Sequence, residues 1–283
     1  MGVSVVVPAK NEAVAIGSTI KKIKQNIPSA QIIVIDDGST DGTALVAAAA
    51  GAKVISHRYS MGNGAAIKTG ARSASGDIII FMDGDGQHDA DDIGRLLSRL
   101  DEGFDMVVGA RQAGSQASVG RGIANRIYNR FASYMTGHTV EDLTSGFRVV
   151  RAKQFREFLY LLPNGFSYPT TSTMAFFRAG YSVTYEPIVA SRRIGKSHIK
   201  PLKDGVRFLL IIFKVGTLYS PLKLFAPIAA LLFFLATAWY AHTFYMLGRF
   251  TNMSTLLYTG SVVVFLMGLI SEQITALMYK HVE

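Results

Sequence analysis

Over most of the chain, apolar residues come in short runs separated by glycine, proline and acidic residues; near the C-terminus they merge into two long stretches. The short runs Val3–Val7, Gln31–Ile35, Lys53–Ser56, Ile78–Met82 and Met106–Val108 are rich in Val and Ile, which predicts strands buried on both faces of a parallel sheet. Segments with helical character fall between them, at Ala13–Asn26, Thr43–Ala50, Gly64–Ala74 and Asp89–Glu102. Tyr181–Val189 reads as a further strand. The alternation predicts an α/β doubly wound sheet, in which ligands bind beyond the carboxyl ends of the strands.

From Ser118 to Gly137, Ile123, Ile127, Phe131 and Tyr134 recur at helical spacing, with Arg121, Asn125 and Asn129 opposite and Arg126 and Arg130 flanking the stripe. This predicts a basic amphipathic helix. Arg192–Lys203 is a basic loop, and Asp204–Tyr219, which carries Arg207 and Lys214 among bulky apolar residues, is expected to lie along a membrane interface. No charged residue occurs in Leu224–Gly248 or Thr251–Ser271, and each stretch is long enough to cross a bilayer. Glu272 follows at the end of the second stretch. Lys223, Lys280 and His281 flank the pair and only Arg249 lies in the connecting loop, so positive-inside bias places both ends in the cytoplasm. The expected division is a head at 1–203, a juxtamembrane segment at 204–223 and two transmembrane helices at 224–283.

Charge adds a partner class. The 283 residues hold 29 Lys and Arg against 20 Asp and Glu, a formal net charge of +9, which favours a phosphate-bearing substrate, an anionic membrane surface or nucleic acid. Nucleic acid lacks an accompanying aromatic and basic recognition motif. With no cysteine in the chain, thiolate metal sites, disulfides and cysteine nucleophiles are excluded. The N-terminus does not resemble a signal peptide, so the head is expected to remain in the cytoplasm.

The acidic turns supply candidate chemistry. Asp83-Gly84-Asp85-Gly86-Gln87 follows a buried strand, and two carboxylates one residue apart in a turn suit a hard divalent cation, Mg2+ or Mn2+, completed by substrate phosphates; Gln87 can add a carbonyl oxygen. Asp36-Asp37-Gly38-Ser39 follows another strand, where a carboxylate can accept hydrogen bonds from a base or ribose, while Asp41 suits the cap of the next helix. In Pro8-Ala9-Lys10-Asn11-Glu12, Asn11 can cap the helix beginning near Ala13 and Glu12 can bind a nucleotide. Gly62-Asn63-Gly64 and Lys68 open a helix whose first amides can face phosphate.

The order of these motifs carries a family resemblance. Val5–Glu12, Ile35–Thr43, Gly62–Gly70 and Met82–His88 together resemble family 2 glycosyltransferases; Thr144-Ser145-Gly146-Phe147-Arg148 and Arg192–Ser197 narrow the likeness to the dolichyl or polyprenyl phosphate sugar synthases. The resemblance implies a Rossmann-like GT-A head with a C-terminal transmembrane hairpin. Pro8, Ala9, Asn11, Glu12, Asp37, Lys68 and Asp83 would meet the nucleotide, while Asp83, Asp85 and Gln87 would hold the metal on the diphosphate. Arg121, Arg126 and Arg130, with Ser197 and Lys200, would meet the acceptor phosphate. Arg192 and Arg193 would join Asp85 in stabilising the leaving diphosphate.

The implied reaction moves a hexose-type sugar from a nucleotide diphosphate-sugar to polyprenyl phosphate in a single inverting displacement. His198 stands where a lysine is usual. Lys10 replaces a tyrosine common in mannose-donor relatives, which favours a uridine diphosphate sugar such as glucose or N-acetylglucosamine over guanosine diphosphate mannose. No essential base is expected among His88, His138 and His198. A processive polysaccharide synthase shares the early motifs but resembles a pattern with Gln-x-x-Arg-Trp, whereas Trp239, the one tryptophan, lies in a predicted span. A non-catalytic nucleotide-binding scaffold would not need the complete acidic set. Self-association stays open.

Overall fold

The computed structural model describes residues 2–112, 119–165, 168–190, 213 and 216–279, with only the backbone of 119–124. Contacts divide the chain into two compact units, Met1–Asp204 and Gly205–Glu283.

In the first unit, a seven-stranded sheet runs β3-β2-β1-β4-β6-β5-β7. Its strands are β1 (Val3–Ala9), β2 (Gln31–Asp36), β3 (Lys53–Ser56), β4 (Ile78–Phe81), β5 (Met106–Arg111), β6 (Arg148–Arg151) and β7 (Val183–Ile188). Neighbours pair in parallel except around β6, which runs antiparallel between β4 and β5. The central strands are buried almost throughout, as their Val and Ile runs require.

Alternate residues of β1 serve opposite faces, the two-residue period of a strand. Val5 and Val7 join a core with Ile16, Ile20 and Ile23 of α1 (Ile16–Asn26), Ala47 of α2 (Thr43–Ala49) and Leu96 and Leu100 of α4 (Ile93–Asp101). On the other face, α3 (Asn63–Ser73) approaches β1 so closely that a Cβ on Gly70 would stand 2.2 Å from Val6 Cγ1. Phe81 packs there against Phe155 of α6 (Ala152–Glu157) and Tyr168 of α7 (Tyr168–Arg178), with ring centroids 4.6 and 6.0 Å apart.

Three local expectations need correction. The parallel alternation is interrupted by β6, whose sequence Arg-Val-Val-Arg is too short and charge-flanked to register as a strand but gains ladders on both sides. In α5 (Val119–Thr136) the buried apolar residues among those described are Tyr128, Ala132 and Met135, whereas Ile127 and Tyr134 of the expected apolar stripe are exposed. The inward face is thus rotated by about one residue from the stripe, because Tyr128 docks its hydroxyl on Thr170 of α7 at 3.0 Å. Asn11 does not cap α1: it sits at φ 56 and its side chain accepts from the Thr40 amide at 2.8 Å. The amides of Glu12 and Ala13 are instead taken by Thr43 Oγ1 and Asp41 Oδ2.

The second unit contains α8 (Pro221–Leu247) and α9 (Asn252–Tyr279), each long and apolar enough to cross a membrane. They form a hairpin whose seam is built from small residues at every seventh position: Ala229, Ala236 and Thr243 on α8, and Ser254, Ser261, Gly268 and Thr275 on α9. Small side chains let the backbones approach. Ser261 Oγ donates to the Ala229 carbonyl at 2.8 Å, and a Cβ on Gly268 would come within 2.8 Å of Phe225 Cβ. Glu272 accepts from the Leu222 amide at 3.2 Å, satisfying one of the first-turn donors of α8.

Candidate active site

At the carboxyl ends of β1, β2 and β4, the Ala9 carbonyl takes the Asp37 amide at 2.9 Å and the Pro8 carbonyl takes the Gly84 amide at 3.3 Å, so the three acidic or polar turns meet at one edge. They border a cleft of about 430 Å³, within the range of small-molecule sites. Among the residues named from sequence, Pro8, Ala9, Glu12, Asp37, Asp83 and Asp85 line it; Asn11, Lys68 and Gln87 are not among the lining residues. Lys68 Nζ is directed to the Leu162 carbonyl at 3.1 Å and to Asn164, so it ties α3 to a neighbouring loop. The Gln87 amide donates to Asp85 Oδ1 at 3.1 Å, shaping the acidic turn.

Asp37 is buried and its two oxygens receive four protein donors. Oδ1 takes His57 Nδ1 at 2.8 Å and the Met61 amide at 2.8 Å; Oδ2 takes Ser60 Oγ at 2.7 Å and the Gly62 amide at 2.9 Å. Burial pulls its pKa upward, but the bonds from His57, Met61, Ser60 and Gly62 outweigh that and hold it down at about 2. A carboxylate has about four lone-pair positions, and all are used by the segment between β3 and α3. Asp37 therefore organises the cleft wall.

Ser60, Gly62 and Asn63 also line the cleft, and Lys10 Nζ reaches Ser60 Oγ at 2.8 Å. Ser60 and His57 escaped the sequence reading. The signal available was a histidine immediately after β3, on the same sheet edge as the acidic turns; its Nε2 meets Thr69 Oγ1 at 3.0 Å.

The acidic turn rests on a second structure. Arg111 holds Asp142 with bonds from Nε at 2.7 Å and Nη2 at 2.9 Å, and Asp142 in turn accepts from the amides of Thr144 and Ser145, each at 3.1 Å. Burial would raise the Asp142 pKa, yet Arg111 keeps it below the usual carboxylate range. His88 stacks on Phe147 with centroids 5.2 Å apart, and its Nδ1 lies 4.0 Å from Asp83 Oδ2. Burial pushes this imidazole down to about 4, so it is neutral near pH 7. Among the described residues, the buried atoms His88 Nδ1, Ser145 Oγ and Tyr185 Oη have no hydrogen-bond partner.

Arg126 and Arg130 are exposed on α5. The side chain of Arg121, together with Arg192, Arg193, Ser197, His198 and Lys200, lies outside the described residues.

A family model described as glycosyl transferase family 2 matches residues 4–159, and one described as the GtrB C-terminal hairpin matches residues 220–277. Glycosyltransferase AglJ of Haloferax volcanii is 30% identical over 233 residues, covering 80% of this chain and 76% of that protein. The undecaprenyl-phosphate 4-deoxy-4-formamido-L-arabinose transferase of Salmonella paratyphi B is 35% identical over 159 residues, 53% of this chain, which spans 48% of that protein's length. Among solved structures, glucosyl-3-phosphoglycerate synthase from Mycobacterium tuberculosis, in complex with Mn2+, UDP-glucose and phosphoglyceric acid, aligns with a TM-score of 0.60 at 22% identity over 76% of this chain and 78% of that one. At that identity the likeness establishes the GT-A fold.

Proposed function

The chain belongs to glycosyl transferase family 2, and from that premise we propose that it transfers a hexose-type sugar from a nucleotide diphosphate-sugar to polyprenyl phosphate at the cytoplasmic face of a membrane. The observation that carries the reading is the meeting of Asp83 and Asp85 with the Pro8–Glu12 and Asp37 turns around one cleft, in a chain that also has an apolar hairpin. The names of the Salmonella and Haloferax relatives support a lipid phosphate acceptor and sugar transfer respectively.

Asp83 and Asp85 fit a divalent cation such as Mg2+ or Mn2+. Their oxygen donors are of the hard type such ions take, and Mg2+ in particular is commonly held by one or two carboxylates together with substrate phosphates. Such an ion, when bound, neutralises charge on the diphosphate. Pro8, Ala9 and Glu12 border the nucleotide, and Asp37 acts through the Ser60–Gly62 wall. Lys10 favours a uridine diphosphate donor.

In the reaction, an acceptor phosphate oxygen forms a bond to the anomeric carbon as the bond to the diphosphate breaks, inverting that carbon and releasing nucleoside diphosphate. A phosphate monoester has its second pKa at about 6, so the attacking oxygen is already anionic near neutral pH and a strong protein base is unnecessary. His88, held neutral with a pKa of about 4, is correspondingly poor as a base. Arg121, Arg126 and Arg130 supply guanidinium groups for the acceptor phosphate, and Ser197 and Lys200 belong to the same assignment. Arg192 and Arg193 are assigned to the leaving diphosphate. The head comprises 1–203, the juxtamembrane segment 204–223 and the membrane hairpin 224–283.

The test is nucleoside diphosphate release by the detergent-solubilised full chain, with UDP-glucose, UDP-N-acetylglucosamine or GDP-mannose. Release from one donor should require both polyprenyl phosphate and a divalent cation. Release at the same rate without the lipid phosphate would contradict the proposed acceptor.

A further inference from the structure

Arg148 is a charged side chain with 0% of its surface exposed. All its hydrogen-bond partners among the described residues are neutral. Nε and Nη2 donate to the Ser145 carbonyl at 3.1 and 2.7 Å; Nη1 donates to the Pro169 carbonyl at 2.8 Å, to Ser172 Oγ at 2.9 Å and to Thr173 Oγ1 at 3.0 Å. A buried cation without a carboxylate partner costs stability relative to an apolar side chain of similar volume. Core packing alone does not account for it.

What Arg148 holds suggests its task. The Ser145 carbonyl receives two guanidinium bonds, and the next carbonyl, that of Gly146, receives the Tyr168 hydroxyl at 2.9 Å. The same turn is held on its amide side by Asp142 and beyond it by the Gly109 amide, which donates to the Phe147 carbonyl at 2.9 Å. The turn thus fixed lies directly against the cleft: a Cβ on Gly146 would stand 2.6 Å from Asp83 Oδ2 and 3.2 Å from Oδ1. A planar guanidinium serves two carbonyls and two hydroxyls at once, whereas a lysine offers three donors from a single atom.

We propose that Arg148 is a positioning residue for the acidic pair: by pinning the Ser145–Gly146 turn, it makes Gly146 the backstop that sets the placement of the Asp83 carboxylate for the cation and the donor diphosphate. The inference rests on the reading of Asp83 as a cation ligand. It identifies a function for the Thr-Ser-Gly-Phe-Arg segment that lies beneath the chemistry: Gly146 is required for its lack of a side chain, and Arg148 for its fork of donors.

The experiment compares wild type, Arg148→Lys, Arg148→Met and Gly146→Ala as full chains in detergent, measuring Mn2+ binding in the presence of UDP by electron paramagnetic resonance, the Mn2+ concentration for half-maximal transfer, and the thermal midpoint. In Gly146→Ala the new methyl meets the carboxylate of Asp83, a side-chain end that can yield, so the fold should survive. Gly146→Ala and Arg148→Met should each weaken Mn2+ binding by about tenfold or more, the scale seen when outer partners of metal ligands are lost, and Arg148→Lys should fall between wild type and Arg148→Met. Should Arg148→Met fail to fold, Arg148→Lys and Gly146→Ala carry the test. Unchanged Mn2+ affinity in those folded variants would overturn the positioning role while leaving the cation reading intact. Wild-type protein that binds no Mn2+ with UDP would overturn the cation reading and the inference with it.

Discussion

The Asp85 carboxylate lines the cleft and receives the Gln87 amide, so its loss removes one turn bond and one proposed cation ligand. Asp85→Ala is expected to lower metal-dependent transfer by more than about 100-fold while changing stability by about 1 kcal/mol or less; rate and thermal midpoint measured on the same preparation check this. Asp37 has the opposite balance. Its pKa is held at about 2, below the ordinary carboxylate value of 3.8, so its contribution to stability, roughly 2 kcal/mol, is present in full above the unfolded value. That contribution is lost as pH falls through the folded value. Asp37→Asn should therefore lower the unfolding midpoint at pH 7, and the gap from wild type should narrow as pH falls from about 5 towards 2; a gap independent of pH would contradict it. The presence of Asp37 at the site was legible from the acidic turn after β2. Its saturation by His57, Ser60 and two amides was not, because those donors follow a different strand and only the fold brings them together.

At the scale of elements, short apolar runs revealed the parallel strands and long ones the hairpin, since burial on both faces and span length are both written in composition. The elements that escaped are those whose residues look polar in isolation. β6 opens with Arg148 and closes with Arg151. α7 begins Tyr-Pro-Thr-Thr-Ser-Thr, poor helix-forming residues, yet Ser172 and Thr173 bond back to the Pro169 carbonyl and also receive Arg148. A charge in one element and hydroxyls in another satisfy each other only after folding.

The entry of α3 is equally dependent on its neighbour: a Cβ on Gly64 would stand 1.9 Å from the Pro163 carbonyl oxygen and 3.0 Å from that of Gly165. Gly64→Ala should destabilise the protein by about 1–3 kcal/mol, the range of overpacking, measured as a fall in thermal midpoint. Backbone atoms have less room to yield here than the carboxylate beside Gly146. A midpoint equal to wild type would show that this contact is not maintained.

For the whole molecule, the fold and hairpin followed from pattern, whereas the side of the membrane rests on the distribution of Lys and Arg. With Lys223, Lys280 and His281 flanking the two spans and only Arg249 in the loop, the proposed orientation places the Asn252 end of the hairpin outside and the head inside. A small tag inserted at Asn252 should react with a membrane-impermeant reagent in intact cells, and a tag at the N-terminus should react only after lysis; the reverse pattern would place the head on the other face. The most direct measurement is mass spectrometry of the lipid after full-length protein has been incubated with polyprenyl phosphate, a divalent cation and a panel of nucleotide diphosphate-sugars. One donor should yield polyprenyl phosphate heavier by a single sugar residue, with an equimolar amount of nucleoside diphosphate. Donor consumption that leaves the lipid mass unchanged, or appears as a lengthening polysaccharide, would contradict it.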